Sequence, residues 1–208
     1  MRHAPLWFLD GCRPLVWLAA RALFGIRFEG VEHVPRVGPV VLTPNHVSYM
    51  DPVLISIPIR RPLRYMTLEP FFRVRGLGPL IRWAGAFPVR VDEADGHAVR
   101  TAVRLLRAGE PLVIFPEGGR SRDGRPVDFR PGAFRLALGA DVPIVPVTIA
   151  GAFEAWPPHR RLPRPGRIRI TYHPPLTRKD LPADADRKAL PRLMAAAVRE
   201  RIASALPA

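Results

Sequence analysis

Two stretches of the chain place acid–base and anion-binding side chains within a few residues of one another. The first is Asn45-His46-Val47-Ser48-Tyr49-Met50-Asp51. On a regular α-helix a separation of five residues puts two side chains about 140° out of line, so His46 and Asp51 meet only if the chain turns between them. Pro44 and Pro52 bracket the stretch and favour such a turn. Pro52 suits the first helical position, with Asp51 at the cap. If the two meet, the carboxylate accepts one imidazole N–H and fixes the tautomer. The second nitrogen is then free to take a proton from a substrate hydroxyl. The alternative is that Asp51 only caps a helix and His46 is an ordinary surface histidine. No nucleophile-elbow pattern surrounds Ser48, which argues against a serine triad.

The second stretch is Phe115-Pro116-Glu117-Gly118-Gly119-Arg120-Ser121-Arg122-Asp123-Gly124. Paired glycines leave backbone amides open to close approach by a ligand. Arg120 offers a planar fork suited to phosphate. Glu117 can hold that guanidinium in place or bind a hydroxyl of a sugar or glycerol. The stretch also reads as a charged, solvated turn. It lacks the Lys-Ser/Thr ending of a P-loop, which argues against nucleotide hydrolysis.

Both stretches follow short apolar runs. Residues 40–42, 112–115 and 144–149 are rich in Val, Ile and Leu and bounded by turn residues, the pattern of strands buried on both faces. Between them Val99, Ala102, Val103 and Leu106 recur at helical spacing opposite Arg100, Arg104 and Arg107, and Gly109 closes that helix. Residues 134–138 read as a shorter helix. Leu190, Leu193, Met194, Ala197, Val198 and Ile202 form the apolar stripe of a long one. Strands alternating with helices predict a single α/β domain with a largely parallel central sheet flanked by helices. Reactive groups of such sheets gather at the carboxyl ends of the strands, where both stretches lie.

The 208 residues suffice for one domain with a sizeable core, and 48% hydrophobic residues exclude wholesale disorder. Lys and Arg number 32 against 18 Asp and Glu, a formal charge of +14 that predicts an anionic partner. Nearly all the excess is arginine. The single cysteine, Cys12, excludes an internal disulfide and a cysteine-built zinc site, and no metal is expected.

No run reaches the roughly 18 apolar residues of a spanning helix. Residues 1–25 instead read as an interfacial apolar segment, anchored by Trp7, Phe8, Trp17 and Phe24 and broken at Pro14, with the domain proper at 26–208. A core helix is the competing reading, and a signal peptide gains no support from a lone cysteine. Two further basic patches could meet anionic headgroups or be simply solvated. One is the Pro/Arg-rich loop 157–165, and the other is Arg60, Arg61, Arg64, Arg73, Arg75 and Arg82 interleaved with Phe71, Phe72 and Trp83.

At this point the sequence resembles a known family. Asn45-His46 through Asp51 resembles the N-H-x-S-x-x-D block of the glycerolipid acyltransferases, most closely the 1-acyl-sn-glycerol-3-phosphate (lysophosphatidic acid) type. Phe115 to Arg120 resembles their F-P-E-G-x-R-S block. Gly85-Ala86-Phe87-Pro88-Val89-Arg90 and Val142-Pro143-Ile144-Val145-Pro146-Val147 are similar to two weaker blocks, and all four come in family order. The resemblance implies transfer of a fatty acyl group from an acyl-CoA or acyl-carrier-protein thioester to the hydroxyl of lysophosphatidic acid. The product would be phosphatidic acid for phospholipid biosynthesis. It implies His46 as general base and Asp51 as its partner, with Asn45, Ser48, Arg90, Glu117, Gly118, Gly119 and Arg120 at the acceptor. It further implies no cofactor, no nucleic acid, and a peripheral or monotopic place on the cytoplasmic face of a membrane. Two positions depart from the pattern. Gly119 stands where threonine is common, and Pro131 interrupts a basic pair, leaving Arg130 as the candidate oxyanion or phosphate contact. A different lysolipid acceptor, such as lyso-ornithine lipid, and a basic membrane- or nucleic-acid-binding protein without turnover are the rival readings.

Overall fold

A computed structural model describes residues 4–90, 95–125 and 127–207. Residues 1–3 of the predicted interfacial segment lie outside them. The described chain opens with helix α1, Leu6–Phe24, and the short strand β1, Arg27–Glu29. Strand β2, Val40–Pro44, leads to helix α2, Asp51–Ser56. Strand β3, Arg64–Leu68, runs into a 3-10 turn at Glu69–Arg73, helix α3, Leu77–Trp83, and strand β4, Ala86–Val89. Helix α4, Gly96–Arg107, returns the chain to strand β5, Pro111–Val113, and helix α5, Gly132–Gly139, to strand β6, Ile144–Ala150. Helix α6, Ala152–Ala155, strand β7, Arg169–Tyr172, and helix α7, Leu190–Ala203, complete it.

The seven strands form one sheet in the order β1-β7-β6-β2-β5-β3-β4. Strands β2 to β6 are mutually parallel, and β7 is antiparallel to β6. The central strands are buried on both sides, which explains their largely apolar sequences. Alternate residues of β2 serve opposite layers. Val40 and Leu42 pack with α2, α6 and the end of α1, while Val41 packs with α4, α5 and α7. The Asp95 carboxylate caps α4 by accepting from His97 and Ala98 N–H at 3.0 Å. Ala98, Ala102, Leu105 and Leu106 form its buried stripe. On α7 the buried stripe is Pro191, Met194, Ala195, Val198 and Ile202. Leu193 was expected in that stripe but is exposed, because three-and-four spacing counted from Pro191 passes it by.

Helix α1 runs through Pro14 rather than breaking there. Proline removes the N–H that would reach the Asp10 carbonyl, but both residues are solvent-exposed, so water can satisfy that oxygen. Only Ala20 and Phe24 of α1 are buried against the domain. Among the described residues no helix is long and apolar enough to cross a membrane.

The basic patch predicted from Arg60 to Arg82 does not hold together. Arg61 donates to the carbonyls of Pro35, Gly38 and Gly109, and Arg64 is buried against Glu110. Both sit at the amino ends of the parallel strands. Arg73 and Arg82 gather instead at the 3-10 turn, where Arg82 stacks on Phe72 at 4.8 Å and Arg73 pairs with Glu69.

Candidate active site

The chain leaves β2 at Pro44 and makes the turn that the His46–Asp51 pair requires. Asp51 is completely buried, and its Oδ2 accepts from His46 Nδ1 at 2.8 Å, Val47 N–H at 2.7 Å and Ser48 N–H at 2.8 Å. The carboxylate therefore folds the turn and orients the ring through one oxygen. It was expected to cap α2, but the helix begins at Asp51 itself and the side chain points back into the turn. An ionised carboxylate only accepts, so Nδ1 carries the proton and Nε2 is the free basic nitrogen of the neutral ring. The Phe115 ring stacks on the imidazole with centroids 4.0 Å apart, holding it from a second direction.

The glycine-rich loop after β5 is fastened to the same turn. His46 N–H donates to Glu117 Oε1 at 3.0 Å, and Ser121 N–H donates to the His46 carbonyl at 2.8 Å. Glu117 thus holds the histidine backbone rather than Arg120. Burial, reinforced by the Asp51 charge and opposed by the His46 N–H, raises the Glu117 carboxyl to about 7. Gly118 has φ +73°, and a Cβ there would meet the Arg130 guanidinium at 2.8 Å. The positive φ is what favours glycine here. The same contact places Arg130 against the loop. A Cβ on Gly119 would meet nothing within 4 Å.

The Arg120 guanidinium lies 3.9 Å from the Tyr49 ring centroid and 5.7 Å from that of Phe71. Arg90 extends from the end of β4 and donates through Nε to Glu69 at 2.7 Å, beside a cleft lined by Phe72, Arg73 and Arg82. The 3-10 turn thus touches both arginines. Asn45 and Ser48 are turned elsewhere. Asn45 accepts from Ile149 N–H and donates to the Ile149 carbonyl, joining β2 to β6. Ser48 Oγ donates to the Trp156 carbonyl at 2.8 Å. Phe115, Tyr49 and Trp156 were given no role from sequence, and Phe71 was read only as part of the basic patch. Tyr49 and Phe115 lie inside the two motifs, whereas Phe71 and Trp156 reach the site only through the fold.

Among the described residues, the buried side-chain polar atoms lacking a hydrogen-bond partner are Thr43 Oγ1, Asp51 Oδ1, Glu117 Oε2 and Arg120 Nε. Three of these belong to this one site. Unsatisfied buried groups are costly and uncommon, so their concentration marks a place for a polar ligand.

Comparison with known proteins places the chain in a family. The acyltransferase family profile matches residues 25–150, more than half of the chain. The chain is 32% identical over 185 residues to 1-acyl-sn-glycerol-3-phosphate acyltransferase alpha of Mus musculus, covering 83% of this chain and 64% of that protein. It is 29% identical over 161 residues to a chloroplastic 1-acyl-sn-glycerol-3-phosphate acyltransferase of Arabidopsis thaliana, covering 74% of this chain and 44% of that one. This chain therefore spans about half to two thirds of the length of these relatives. The crystal structure of the 1-acyl-sn-glycerophosphate (LPA) acyltransferase PlsC from Thermotoga maritima shares the fold. It superposes with a TM-score of 0.76 at 24% identity, over 94% of this chain and 78% of that one. The chain belongs to the acyltransferase family.

Proposed function

We propose that the protein transfers a fatty acyl group from an acyl-CoA or acyl-carrier-protein thioester to the free hydroxyl of lysophosphatidic acid, giving phosphatidic acid. The observation that carries this reading is the 2.8 Å bond from His46 Nδ1 to buried Asp51, which leaves Nε2 as a base in the site that also holds the unsatisfied atoms of Glu117 and Arg120. His46 takes the hydroxyl proton as the oxygen bonds to the thioester carbonyl carbon. The C–S bond breaks, and the proton passes to the departing thiolate. Positioned base catalysis of this kind typically contributes ~10² to 10⁴-fold. Asp51 stabilises the imidazolium formed during transfer.

Arg120 anchors the acceptor phosphate, with Arg90 on the far side of the 3-10 turn, and Arg130 lies against the loop from which the carbonyl oxygen is stabilised. Glu117 Oε2 meets an acceptor hydroxyl. The thioester is already activated, so the reaction calls for no metal or bound cofactor. The acceptor's acyl tail lies in a bilayer, and α1 brings the enzyme there. Leu15, Trp17, Leu18 and Leu23 are exposed on it, and Trp7 is 75% exposed, as expected of a helix lying in an interface. This reading places the enzyme peripherally on the cytoplasmic face of a membrane.

The test is acyl transfer from long-chain acyl-CoA to lysophosphatidic acid, comparing the native chain with His46→Ala. The same assay is repeated with acyl-carrier protein as donor and lyso-ornithine lipid as acceptor. Product from the native chain alone supports the reaction and the base together. Equal product from both proteins removes His46 from the mechanism. Absence of product across the panel, from folded protein on vesicles, overturns the reading.

A further inference from the structure

Residues 157–168, between α6 and β7, have no regular secondary structure, yet they are firmly built. Trp156 Nε1 donates to the Arg160 carbonyl at 2.9 Å, Arg164 N–H to the Ala155 carbonyl at 2.9 Å, and Arg164 Nε to the Glu154 carbonyl at 2.6 Å. Gly166 and Ile168 N–H donate to the Leu23 and Phe24 carbonyls, which fixes the segment to the last turn of α1. The loop and the exposed apolar face of that helix therefore share one corner of the molecule.

Charge accumulates at this corner. Arg160, Arg161, Arg164 and Arg167 are all exposed, and Arg169 of β7 is in register with Arg27 of β1. Like charges directly opposite one another on neighbouring strands repel. Among the described residues none of these six arginines is paired with a carboxylate. Within the cationic loop Leu162 is 75% exposed. An apolar tip between arginines, beside a helix with unpartnered leucines and a tryptophan, matches a surface that is anionic outside and apolar beneath. An acidic protein surface would neutralise the arginines but leave the α1 face uncovered.

We propose that residues 157–168 form a second membrane-docking element, selective for anionic phospholipid. The arginines bind lipid phosphates, and Leu162 enters the boundary between headgroups and acyl chains. This inference rests on the interfacial placement of α1 given above. The loop also reaches the active site: its root, Trp156, accepts from Ser48 Oγ, and its ring lies 6.5 Å from that of Tyr49. Docking there sets the His46 turn at the lipid surface.

The test is co-sedimentation of the full chain with vesicles of phosphatidylcholine alone or with one-third phosphatidylglycerol. The proteins compared are native, Arg160→Glu/Arg161→Glu, Leu162→Glu and Trp17→Glu/Leu18→Glu, each checked for an unchanged melting transition. A surface arginine is worth roughly five-fold in partitioning onto an anionic bilayer. The charge reversal should therefore lose more than about twenty-fold on phosphatidylglycerol vesicles while binding neutral vesicles as before. Leu162→Glu should weaken both by a few-fold, and the α1 variant should weaken both severely. Failure of the α1 variant to lose neutral binding would count against the α1 placement alone, since the phosphatidylglycerol enhancement reads the loop separately. A charge-reversed protein that keeps the native enhancement overturns the proposal. So does one that keeps vesicle binding but loses turnover with acyl-carrier protein and not with acyl-CoA, a result that would make the loop a protein dock.

Discussion

The two ends of the parallel strands carry the same kinds of side chain and treat them in opposite ways. At the amino ends Arg61 is satisfied by the carbonyls of Pro35, Gly38 and Gly109, and Arg64 is buried against Glu110. Both guanidinium groups are thus held by the protein's own oxygens. At the carboxyl ends Asp51 Oδ1, Glu117 Oε2 and Arg120 Nε are equally enclosed but unpartnered. Residue type does not separate structural from functional arginines here; unmet hydrogen-bonding capacity does. Outside these three, Thr43 Oγ1 at the end of β2 is the one other buried side-chain polar atom without a partner among the described residues.

The comparison predicts that substitutions at the carboxyl ends change turnover and those at the amino ends change stability. The largest effect is expected at His46. Replacing it with alanine should lower kcat by ~10² to 10⁴-fold, the range of positioned base catalysis, with the melting temperature nearly unchanged. Asp51→Asn should lower kcat by a comparable factor, because the amide cannot stabilise the imidazolium. Arg64→Ala is the counterpart at the amino ends. It leaves Glu110 without its cation and should cost about 3 kcal/mol in denaturant unfolding, with kcat and KM unchanged once the protein is folded. A loss of turnover in that variant would break the division between the two ends.

Parts of this division were legible in the sequence. Residues 40–42, 112–115 and 144–149 read as strands because burial on both faces leaves them almost wholly apolar, Thr148 being the one polar residue among them. Strand β3 did not, since only Arg64 of its five residues is buried, and β4 at the sheet edge is half-covered. From sequence His46 and Asp51 could meet only through a turn, which the flanking prolines allow, and a helix cap beside a surface histidine stood as the alternative; the 2.8 Å contact decides between them. Asn45 and Ser48 stand in the same motif as His46, yet their side chains join β2 to β6 and the turn to Trp156. Spacing cannot distinguish a side chain facing a ligand from one facing a neighbouring backbone. The contact of Arg120 with Phe71 was hidden for a related reason, since it depends on how the 3-10 turn after β3 lies over the loop after β5.

Glu117 sharpens the comparison through pH. Its carboxyl is raised to about 7 in the folded protein against an ordinary 4.5. Between these values the folded state binds the proton more firmly than the unfolded chain does, so stability falls as pH rises through the window. Glu117→Gln keeps an acceptor for His46 N–H and has no charge to bury. The variant should gain on the native protein from about pH 4.5 to 7, by at most about 1.4 kcal/mol per pH unit, and the difference should level off above that. Urea unfolding at several pH values measures it, and parallel curves would mean that the site tolerates a buried charge without cost. Arg120→Ala is a smaller step. It removes the proposed charged partner of the acceptor phosphate and should raise KM for lysophosphatidic acid about ten- to a hundred-fold, since such bonds are worth about 1.5–3 kcal/mol.

The smallest effect belongs to Tyr49, whose ring lies under the Arg120 guanidinium while nearly half its surface faces solvent. A cation–π contact at such a partly exposed site is worth about 0.5–1 kcal/mol. Tyr49→Leu should therefore raise KM for the acceptor two- to five-fold and leave kcat at saturation unchanged. Tyr49→Phe keeps the π face and should behave as native, which separates ring stacking from any role of the hydroxyl. In an Arg120→Ala background Tyr49→Leu should have no further effect on KM, because the ring then has no cation to hold. An undiminished effect in the double variant would show that Tyr49 meets the lipid acceptor directly, and the unsatisfied Arg120 Nε would then owe its position to the loop after β5 alone.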